Sequence, residues 1–137
     1  MLVTFYGVRG SIAAPGPKTI KYGGNTSCVH VRLNDGNNVI FDAGTGIREL
    51  GFRMVRNDEP LLLLLSHGHW DHIQGYPFFA PIYQPDREIR ICQSIDSNAV
   101  SLKAILEQMD GSTFPVRSED LPSKITTVYQ VNEYLDA

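Results

Sequence analysis

The pattern of apolar and polar positions divides the chain into short strands and amphipathic helices. Apolar residues that alternate with polar ones, or that run together, predict strands at residues 2–6, 27–33, 38–42, 61–65, 88–92 and 124–131. Apolar residues recur at helical spacing over residues 46–57 and 97–109, and a shorter helix is predicted over 72–79, ending before Pro81. Because an early hairpin pair is followed by strands that alternate with helices, we expect an α/β (α+β) fold with a mixed sheet.

Two segments depart from this pattern and are candidates for functional positions. Residues 10–25 are rich in glycine and proline and predict a long loop, and loops of this length in compact domains are often functional. The five leucines of residues 61–65 run directly into SHGHWDH at residues 66–72, which contains three of the four histidines in the chain. We expect the buried leucine strand to hold these polar side chains still at its end.

Composition narrows the class of protein. The chain has 137 residues, 42% hydrophobic and 20% charged, which suits one domain, residues 1–137, with a real core. The net charge of −3 argues against nucleic-acid binding driven by overall charge. No apolar run could span a bilayer and the N-terminus does not resemble a signal peptide, so we expect a cytoplasmic protein without a membrane partner. Cys28 and Cys92 lack metal-binding spacing, and we expect both to be reduced and buried.

A candidate metal site consists of four side chains that can each donate a lone pair: His67, His69, Asp71 and His72. Residues 67 and 69 are two apart in a backbone that is still extended, so their side chains should point the same way. Imidazole and carboxylate groups suit Zn²⁺, and also Mn²⁺ or Fe²⁺. The alternative is a polar loop with unrelated histidines, which the density of donors disfavours.

Three nearby positions have a structural interpretation that outweighs a functional one. His30 lies on the polar face of its strand beside Arg32, where a solvent-facing histidine is more common than a ligand. Trp70 and Ile73 lie inside the histidine motif, and we expect both to be packing residues.

The histidine motif resembles the H-x-H-x-D-H signature of the metallo-β-lactamase superfamily, and FDAGTG at residues 41–46 resembles its earlier D-x-G-x-G motif. Further stretches resemble one branch, the bacterial metal-dependent hydrolases related to phosphodiesterases and tRNA 3′-processing endonucleases. They are GVRGS at 7–11, PGP at 15–17, YGGNTSC at 22–28, HWDHIQGYPFF at 69–79, FPV at 114–116 and LPSKI at 121–125. The resemblance extends over essentially the whole chain.

This resemblance implies a metallo-β-lactamase-like αββα sandwich with two divalent metals at the sheet edge. His67 and His69 would bind the first metal, and Asp71 and His72 the second. Asp42 would orient the ligand loop, although a helix cap or turn position explains it about as well.

By the same resemblance, the GVRGS and YGGNTSC loops would border the cleft and supply further candidates. Tyr22, Asn25 and Thr26 would contact substrate, or would satisfy backbone groups, and we favour the structural role.

The later ligands of the family have no counterpart in this chain. They are a third histidine in an L-x-H-P-like stretch, a bridging aspartate in a D-T-E-like stretch and a final histidine. A catalytic zinc takes three protein ligands and a water, whereas the four donors here amount to two for each metal. We therefore expect the N-terminal half of the domain, completed by a homo-oligomer or by a second chain that also covers an apolar sheet face.

The predicted activity is metal-dependent hydrolysis of a small-molecule or nucleotide phosphodiester by a metal-activated water, with Asp71 as the catalytic residue that orients the nucleophile. One alternative is a hydrolase of another ester, a thioester, a lactone or an amide on the same fold. Another is a truncated, non-catalytic module that binds metal weakly or serves in assembly.

Overall fold

The structure, a computed structural model, describes residues 1–92 and 100–129. These residues form one six-stranded sheet from β1 (Leu2–Gly7), β2 (Cys28–Arg32), β3 (Asn38–Phe41), β4 (Leu61–Leu64), β5 (Glu88–Cys92) and β6 (Lys124–Val128). The strands follow one another in sequence order across the sheet. Strands β1, β2 and β3 pair antiparallel, and β3 to β6 pair parallel. The mixed sheet and α/β class expected from the pattern are therefore confirmed.

The α-helices are α1 (Ile47–Met54), α2 (Trp70–Ile73) and α3 (Val100–Glu107). Short 3-10 helices lie at Pro17–Thr19, Tyr76–Phe78, Ala80–Tyr83 and Ser118–Asp120. Helix α1 confirms the expectation for residues 46–57 with narrower bounds. Residues 97–99 of the predicted third helix, and residues 130–131 of the predicted last strand, lie outside the described residues.

The single helix predicted over residues 72–79 is wrong. Helix α2 begins earlier, at Trp70, and ends at Ile73, and two 3-10 helices follow it. Each of those 3-10 helices has a proline, Pro77 or Pro81, in its first turn. Proline lacks an N–H group and fits the start of a helical turn but not its interior. A new 3-10 helix therefore begins one residue before each of these prolines.

The main core lies between one face of the sheet and all three helices. Leu61 and Leu63 of β4 lie fully buried beside Ile89 and Ile91 of β5. Helix α1 contributes Ile47, Leu50 and Met54, which share one helical face, and all three are buried. Each such aliphatic side chain contributes about 1.5–3 kcal/mol on burial. The packed core thus fixes the end of β4, where the histidine motif begins.

The opposite face of the sheet is apolar as well, but its burial is uneven. Val39, Leu62, Cys92 and Val128 are buried there. Toward the β1 edge the exposed fraction rises to 42% at Val3, 68% at Phe5 and 42% at Phe41. The strand register places these three on this face, since Val3 pairs with Val31, and Phe5 and Phe41 both pair with Val29.

The described part of the chain therefore contains one sheet and one helical layer of the four-layer sandwich that the resemblance implied. The exposed apolar sheet face expected from half a sandwich is present at the β1 edge. Cys28 and Cys92 are both buried and form no disulfide with each other, as expected. Among the helices that the structure describes, none is long and apolar enough to cross a bilayer.

Candidate metal centre

The histidine motif begins at the carboxyl end of β4, directly beside the loop that follows β3. These two strands are parallel, so their carboxyl ends meet at the same edge of the sheet. The backbone N–H of Asp42 donates to the carbonyl of Leu64 at 2.8 Å, and that of Ala43 donates to the carbonyl of His72 at 2.7 Å. Hydrogen bonds of the backbone thus join the loop after β3 to β4 and to helix α2.

Two glycines allow this close contact. A Cβ atom on Gly75 would lie 2.0 Å from the carbonyl oxygen of Gly44. A Cβ atom on Gly44 would lie 2.4 Å from the carbonyl oxygen of Asp71. Because real Cβ atoms do not approach backbone oxygens so closely, only glycine fits at either position. Gly44 of the FDAGTG stretch and Gly75 after α2 therefore let α2 pack against the loop that carries Asp42.

The four side chains predicted to bind metal lie together in the structure. The ring centroids of His67 and His69 are 4.5 Å apart, and those of His67 and His72 are 4.1 Å apart. His69 has an extended backbone, with φ −66° and ψ 149°, and it directly precedes α2. Asp71 Oδ2 lies 3.4 Å from His72 Nε2. The expectation that residues 67 and 69 share one side is thus confirmed, whereas Asp71 and His72 join them from the first turn of a helix.

Asp42 is the buried acceptor behind this cluster. It is 5% exposed, and its Oδ2 accepts a hydrogen bond from His72 Nδ1 at 2.8 Å. The hydroxyl of Ser27 donates to the same oxygen at 3.2 Å. Of the structural interpretations of Asp42, that of a helix cap is wrong, because the residue before α1 is Gly46, whereas its left-handed backbone, φ 61°, fits a turn position. Its contacts are those of a group that orients His72.

Ser66 connects the same carboxylate to a second histidine. Its backbone N–H and its hydroxyl both donate to Asp42 Oδ1 at 2.8 Å. Its Oγ also lies 3.0 Å from His67 Nδ1. Because the hydroxyl proton is directed to Asp42, the oxygen is left to accept from His67 Nδ1. Sequence reasoning missed this residue, and the only signal was its position directly before the histidine motif.

These contacts determine which ring nitrogens are free. An ionised carboxylate only accepts hydrogen bonds, so His72 carries its proton on Nδ1 and keeps the lone pair on Nε2. The same reasoning through Ser66 leaves the lone pair of His67 on Nε2. Proteins commonly fix metal-binding histidines in this way, by bonding the other ring nitrogen to a carboxylate or a hydroxyl.

Asp71 differs from Asp42 in its surroundings. Its Oδ2 accepts a hydrogen bond from the backbone N–H of Ser11 at 2.9 Å. That bond lowers the pKa of Asp71 below its ordinary value. Ser11 has a left-handed backbone, with φ 69°. Sequence reasoning did not single it out, although it ends the GVRGS stretch that was expected to border the cleft.

The other histidine and the tryptophan of the motif behave differently from the cluster. His30 Nε2 lies 2.9 Å from Asn38 Oδ1, a contact within the sheet that fits its structural interpretation. Ile73 is buried, as expected of a packing residue. The same expectation for Trp70 is wrong, because its side chain is 74% exposed. Trp70 is the first residue of α2, and the buried face of that short helix is taken by Ile73.

The three candidates for substrate contact also separate. Thr26 is completely buried, and its hydroxyl accepts a hydrogen bond from the backbone N–H of Thr45 at 2.8 Å. Asn25 Oδ1 accepts from the hydroxyl of Thr45 at 3.1 Å. Substrate contact by Thr26 is therefore wrong, since no surface remains to meet a ligand, and Asn25 has the contacts of a structural residue. Tyr22 is exposed, with Lys21 over its ring.

The cluster has the donor chemistry of a metal site. Two imidazoles with free Nε2 lone pairs, a third imidazole and an ionised carboxylate are the ligand types that divalent transition metals prefer. Within residues 1–92 and 100–129, however, no group of three or more His, Cys, Asp or Glu side chains is arranged to hold a metal ion as it stands. The four donor side chains lie close together, but no three of them surround a single metal position.

Comparisons with known proteins agree with the class of this site. The family model described as "Metallo-beta-lactamase superfamily" matches residues 22–89, which include Asp42 and the whole histidine motif. A UPF0173 metal-dependent hydrolase of Enterococcus faecalis (strain ATCC 700802 / V583) is 40% identical over 47 residues. That alignment covers 34% of this chain and 21% of the relative, so the match spans about a fifth of the relative's length.

No solved structure matches the chain. The matched family region contains β2 to β4, the glycine contact and all four clustered side chains, so the sequence match and the site coincide. On this match, and on the six-stranded mixed sheet that carries it, residues 22–89 of the chain belong to the metallo-beta-lactamase superfamily.

Proposed function

We propose that this chain contributes the first ligands of a metal-dependent hydrolase that cleaves phosphodiesters. The observation that carries the proposal is the position of the His72 ring between two carboxylates. Its Nδ1 lies 2.8 Å from Asp42 Oδ2, and its Nε2 lies 3.4 Å from Asp71 Oδ2. A histidine bonded through one nitrogen to a buried carboxylate presents the lone pair of the other nitrogen, as metal-binding histidines do.

Four side chains would hold two divalent cations. His67 and His69 would bind one, and Asp71 and His72 the other. These donors suit Zn²⁺, which we favour, and also Mn²⁺ or Fe²⁺. A divalent cation supplies Lewis acidity here, which allows water to lose a proton near neutral pH and stabilises negative charge on oxygen.

Asp71 and Asp42 would have separate roles in the reaction. Asp71, like an ordinary aspartate, is ionised at neutral pH, and the Ser11 N–H bond lowers its pKa further, so it would accept a hydrogen bond from the attacking water and orient it. Asp42 would keep Nδ1 of His72 protonated and the ring correctly oriented. A protonated group that assists the leaving oxygen must come from outside this cluster.

The number of ligands implies that further donors complete the site. A catalytic zinc takes three protein ligands, whereas four donors for two metals supply two each. His30 is bonded to Asn38 within the sheet and is not a candidate for the missing ligand. We therefore propose that additional donors come from outside the described residues, on further chain or on a second chain.

Phosphodiesters are proposed as the substrates because the loop sequences 7–11 and 22–28 resemble those of the phosphodiesterase branch. The printed name of the E. faecalis relative describes that protein as a metal-dependent hydrolase and names no substrate. Other esters, thioesters, lactones and amides are hydrolysed on the same fold. Parallel assays of a phosphodiester, a thioester and a lactone therefore decide the substrate class.

The proposal is tested by metal content and turnover together. We expect the assembled protein to retain two divalent metals per chain and to hydrolyse bis-p-nitrophenyl phosphate with Zn²⁺ or Mn²⁺. The double variant His67→Ala, His72→Ala should lose metal and turnover, while His30→Gln, a histidine change away from the cluster, should retain both. Full metal content without turnover of any ester would refute the hydrolase. Loosely held or absent metal would favour the non-catalytic assembly module.

The expectation of a homo-oligomer or a second chain stays a prediction. The exposed side chains of Val3, Phe5 and Phe41 are the surface that such a contact would cover. Sedimentation of the purified chain checks it, and a stable monomer that binds no dye specific for apolar surface would contradict it.

A further inference from the structure

The loop between β1 and β2 carries a concentration of positive charge that the metal cluster does not use. Between Gly7 and Thr26 the sequence contains three basic residues, Arg9, Lys18 and Lys21, and no acidic residue. The whole chain is acidic, with a net charge of −3, so this loop has the opposite sign to the rest of the protein. Among the residues that the structure describes, none of the three cations is paired with a carboxylate.

Two adjoining cavities lie against these cations. The larger has a volume of about 500 Å³ and is lined by Arg9, Ala14, Pro15, Pro17 and Lys18. The smaller has a volume of about 230 Å³ and adds Lys21 and Tyr22 to the lining. Arg9 and Lys18 line both cavities, so two cations lie where the cavities meet. The larger volume is within the range that small-molecule ligands occupy.

The loop is closed by its own hydrogen bonds. The backbone N–H groups of Val8 and Arg9 donate to the carbonyl of Asn25 at 3.2 and 3.0 Å. The N–H of Ala14 donates to the carbonyl of Gly24 at 2.9 Å. These bonds hold the two ends of the loop together before any ligand arrives, which reduces the entropy lost on binding.

The cations themselves remain available to a ligand. Arg9 uses its Nε to donate to the carbonyl of Ile12 at 2.9 Å, which leaves its two terminal nitrogens for other acceptors. Lys18 is exposed, and Lys21 lies over the ring of Tyr22, 4.9 Å from its centroid. A guanidinium and an ammonium group that line the same cavities are suited to a phosphate group.

The loop also reaches the metal cluster. Ser11 lies two residues after Arg9, and its backbone N–H donates to Asp71 Oδ2 at 2.9 Å. A ligand held in the cavities is therefore bound by the same loop that contacts a proposed metal ligand.

We propose that the cavities lined by Arg9, Lys18 and Lys21 form a subsite for a phosphate-bearing organic ligand of nucleotide size. The phosphate lies between Arg9 and Lys18, and the organic part lies against the prolines or the ring of Tyr22. This inference rests on the proposed function for the identity of the ligand, because it assigns the phosphate to the substrate of a phosphodiesterase. Base–aromatic contact at Tyr22 tolerates different bases, so the subsite selects the phosphate rather than a sequence.

Calorimetric titration of the metal-free full chain with adenosine 5′-monophosphate tests the subsite without turnover. We expect the double variant Lys18→Gln, Lys21→Gln to bind the nucleotide about tenfold or more weakly than the parent chain. The matched control is Lys103→Gln, Lys124→Gln, which removes the same charge from two exposed lysines elsewhere and should change the affinity less than about twofold.

Three results would overturn the subsite: equal loss in both double variants, no loss in either, or adenosine binding as tightly as its monophosphate. The result also separates the subsite from the hydrolase. Nucleotide binding that depends on Lys18 and Lys21, without turnover by the metal-loaded assembly, supports the subsite and refutes the phosphodiesterase. Turnover of bis-p-nitrophenyl phosphate by a protein that binds no nucleotide refutes the subsite alone.

Discussion

Two aspartates approach the same histidine ring from opposite sides, and they differ in almost every other respect. Asp42 lies 2.8 Å from His72 Nδ1, is buried, and also accepts hydrogen bonds from Ser27 and Ser66. Asp71 lies 3.4 Å from His72 Nε2, and its Oδ2 accepts a hydrogen bond from the backbone of Ser11. The difference teaches that the oxygens of Asp42 are taken up by hydrogen bonds that stabilise the fold, while Asp71 accepts fewer of them.

This asymmetry has a chemical consequence for His72. Asp42 fixes the proton of His72 on Nδ1, so Nε2, the nitrogen that faces Asp71, has the free lone pair. If the two carboxylates were equally buried and equally bonded, the ring could be held in either tautomer. Substitutions that disturb one side of His72 at a time therefore reveal how far the difference determines the site.

The largest effect on stability should come from Asp42→Asn. Both oxygens of Asp42 accept N–H donors, from Ser66 and from His72, whereas an amide offers one acceptor oxygen only. Asparagine tolerates the left-handed backbone at this position, φ 61°, so the change tests the hydrogen bonds rather than the backbone. We expect the free energy of unfolding in urea to fall by about 3 kcal/mol.

Asp71→Asn is the control for that change, because it removes one charge from the other side of the same ring. It should leave the urea midpoint nearly unchanged and abolish metal retention. Equal destabilisation by the two variants would contradict the division of roles.

The next effect should come from Gly75→Ala, which leaves both carboxylates in place and separates the elements that carry them. The added Cβ would lie 2.0 Å from the carbonyl of Gly44, so α2 must move away from the Asp42 loop. We expect a loss of about 2 kcal/mol in the free energy of unfolding.

Gly10→Ala is the matched control for the added methyl group. A Cβ at Gly10 meets no atom within 4 Å, and its backbone is not left-handed, so it should fold like the parent chain. If both alanine variants unfold at the same urea concentration, the close contact between the glycines does not support the site.

A smaller effect is expected from Ser66→Ala. The variant removes one hydroxyl donor from Asp42 and the partner of His67 Nδ1, at a cost of about 1 kcal/mol. Nitrogen NMR of the histidine rings should show that His67 loses its single tautomer while His72 keeps its own. Ser66 Oγ also lies 3.3 Å from His72 Nδ1, so loss of a defined tautomer at both rings would mean that Asp42 alone does not hold His72.

The smallest effect concerns Cys28. Burial raises the pKa of its thiol to about 12, and the charge of Asp42 adds to the shift. In the unfolded chain a thiol ionises near pH ~8.5, so above that pH the unfolded state binds fewer protons and the free energy of unfolding declines. Below that pH the thiol is neutral in both states and contributes no pH dependence.

Alkylation kinetics measure this directly. Iodoacetamide at pH 8 should modify Cys28 slowly in the folded protein and rapidly in guanidinium chloride. Asp42→Asn should accelerate the folded-state reaction slightly, since a negative charge near the thiol is removed. Unchanged kinetics in a folded Asp42→Asn protein would show that burial alone protects the thiol.

Much of the sheet and of the histidine cluster could be predicted, because each leaves a recognisable pattern in the order of the residues along the chain. The five leucines indicate a strand buried on both faces, and the crowding of three histidines at its end indicates a common function for them. The side on which His67 and His69 lie follows from the two-residue period of an extended chain.

The remainder depends on contacts between distant parts of the chain. Ser11 and Asp71 are 60 positions apart. Ser11 donates through its backbone N–H, which almost every residue type has, so its identity gives no signal in the sequence. The role of Ser66 could not be predicted, because it depends on the contact with Asp42, which is distant in the sequence. The exposure of Trp70 was missed because a large aromatic ring normally indicates packing, whereas the buried side of a four-residue helix has room for Ile73 alone.

The exposure of Trp70 makes the cluster observable. It is the single tryptophan of the chain, it lies between His69 and Asp71, and its indole is in water. Its fluorescence therefore arises from one known position beside the proposed ligands. A paramagnetic cation such as Mn²⁺ that binds there should quench this emission, whereas Zn²⁺ should change it without quenching. The protein thus carries an intrinsic optical reporter with which metal affinity can be titrated before any substrate is known.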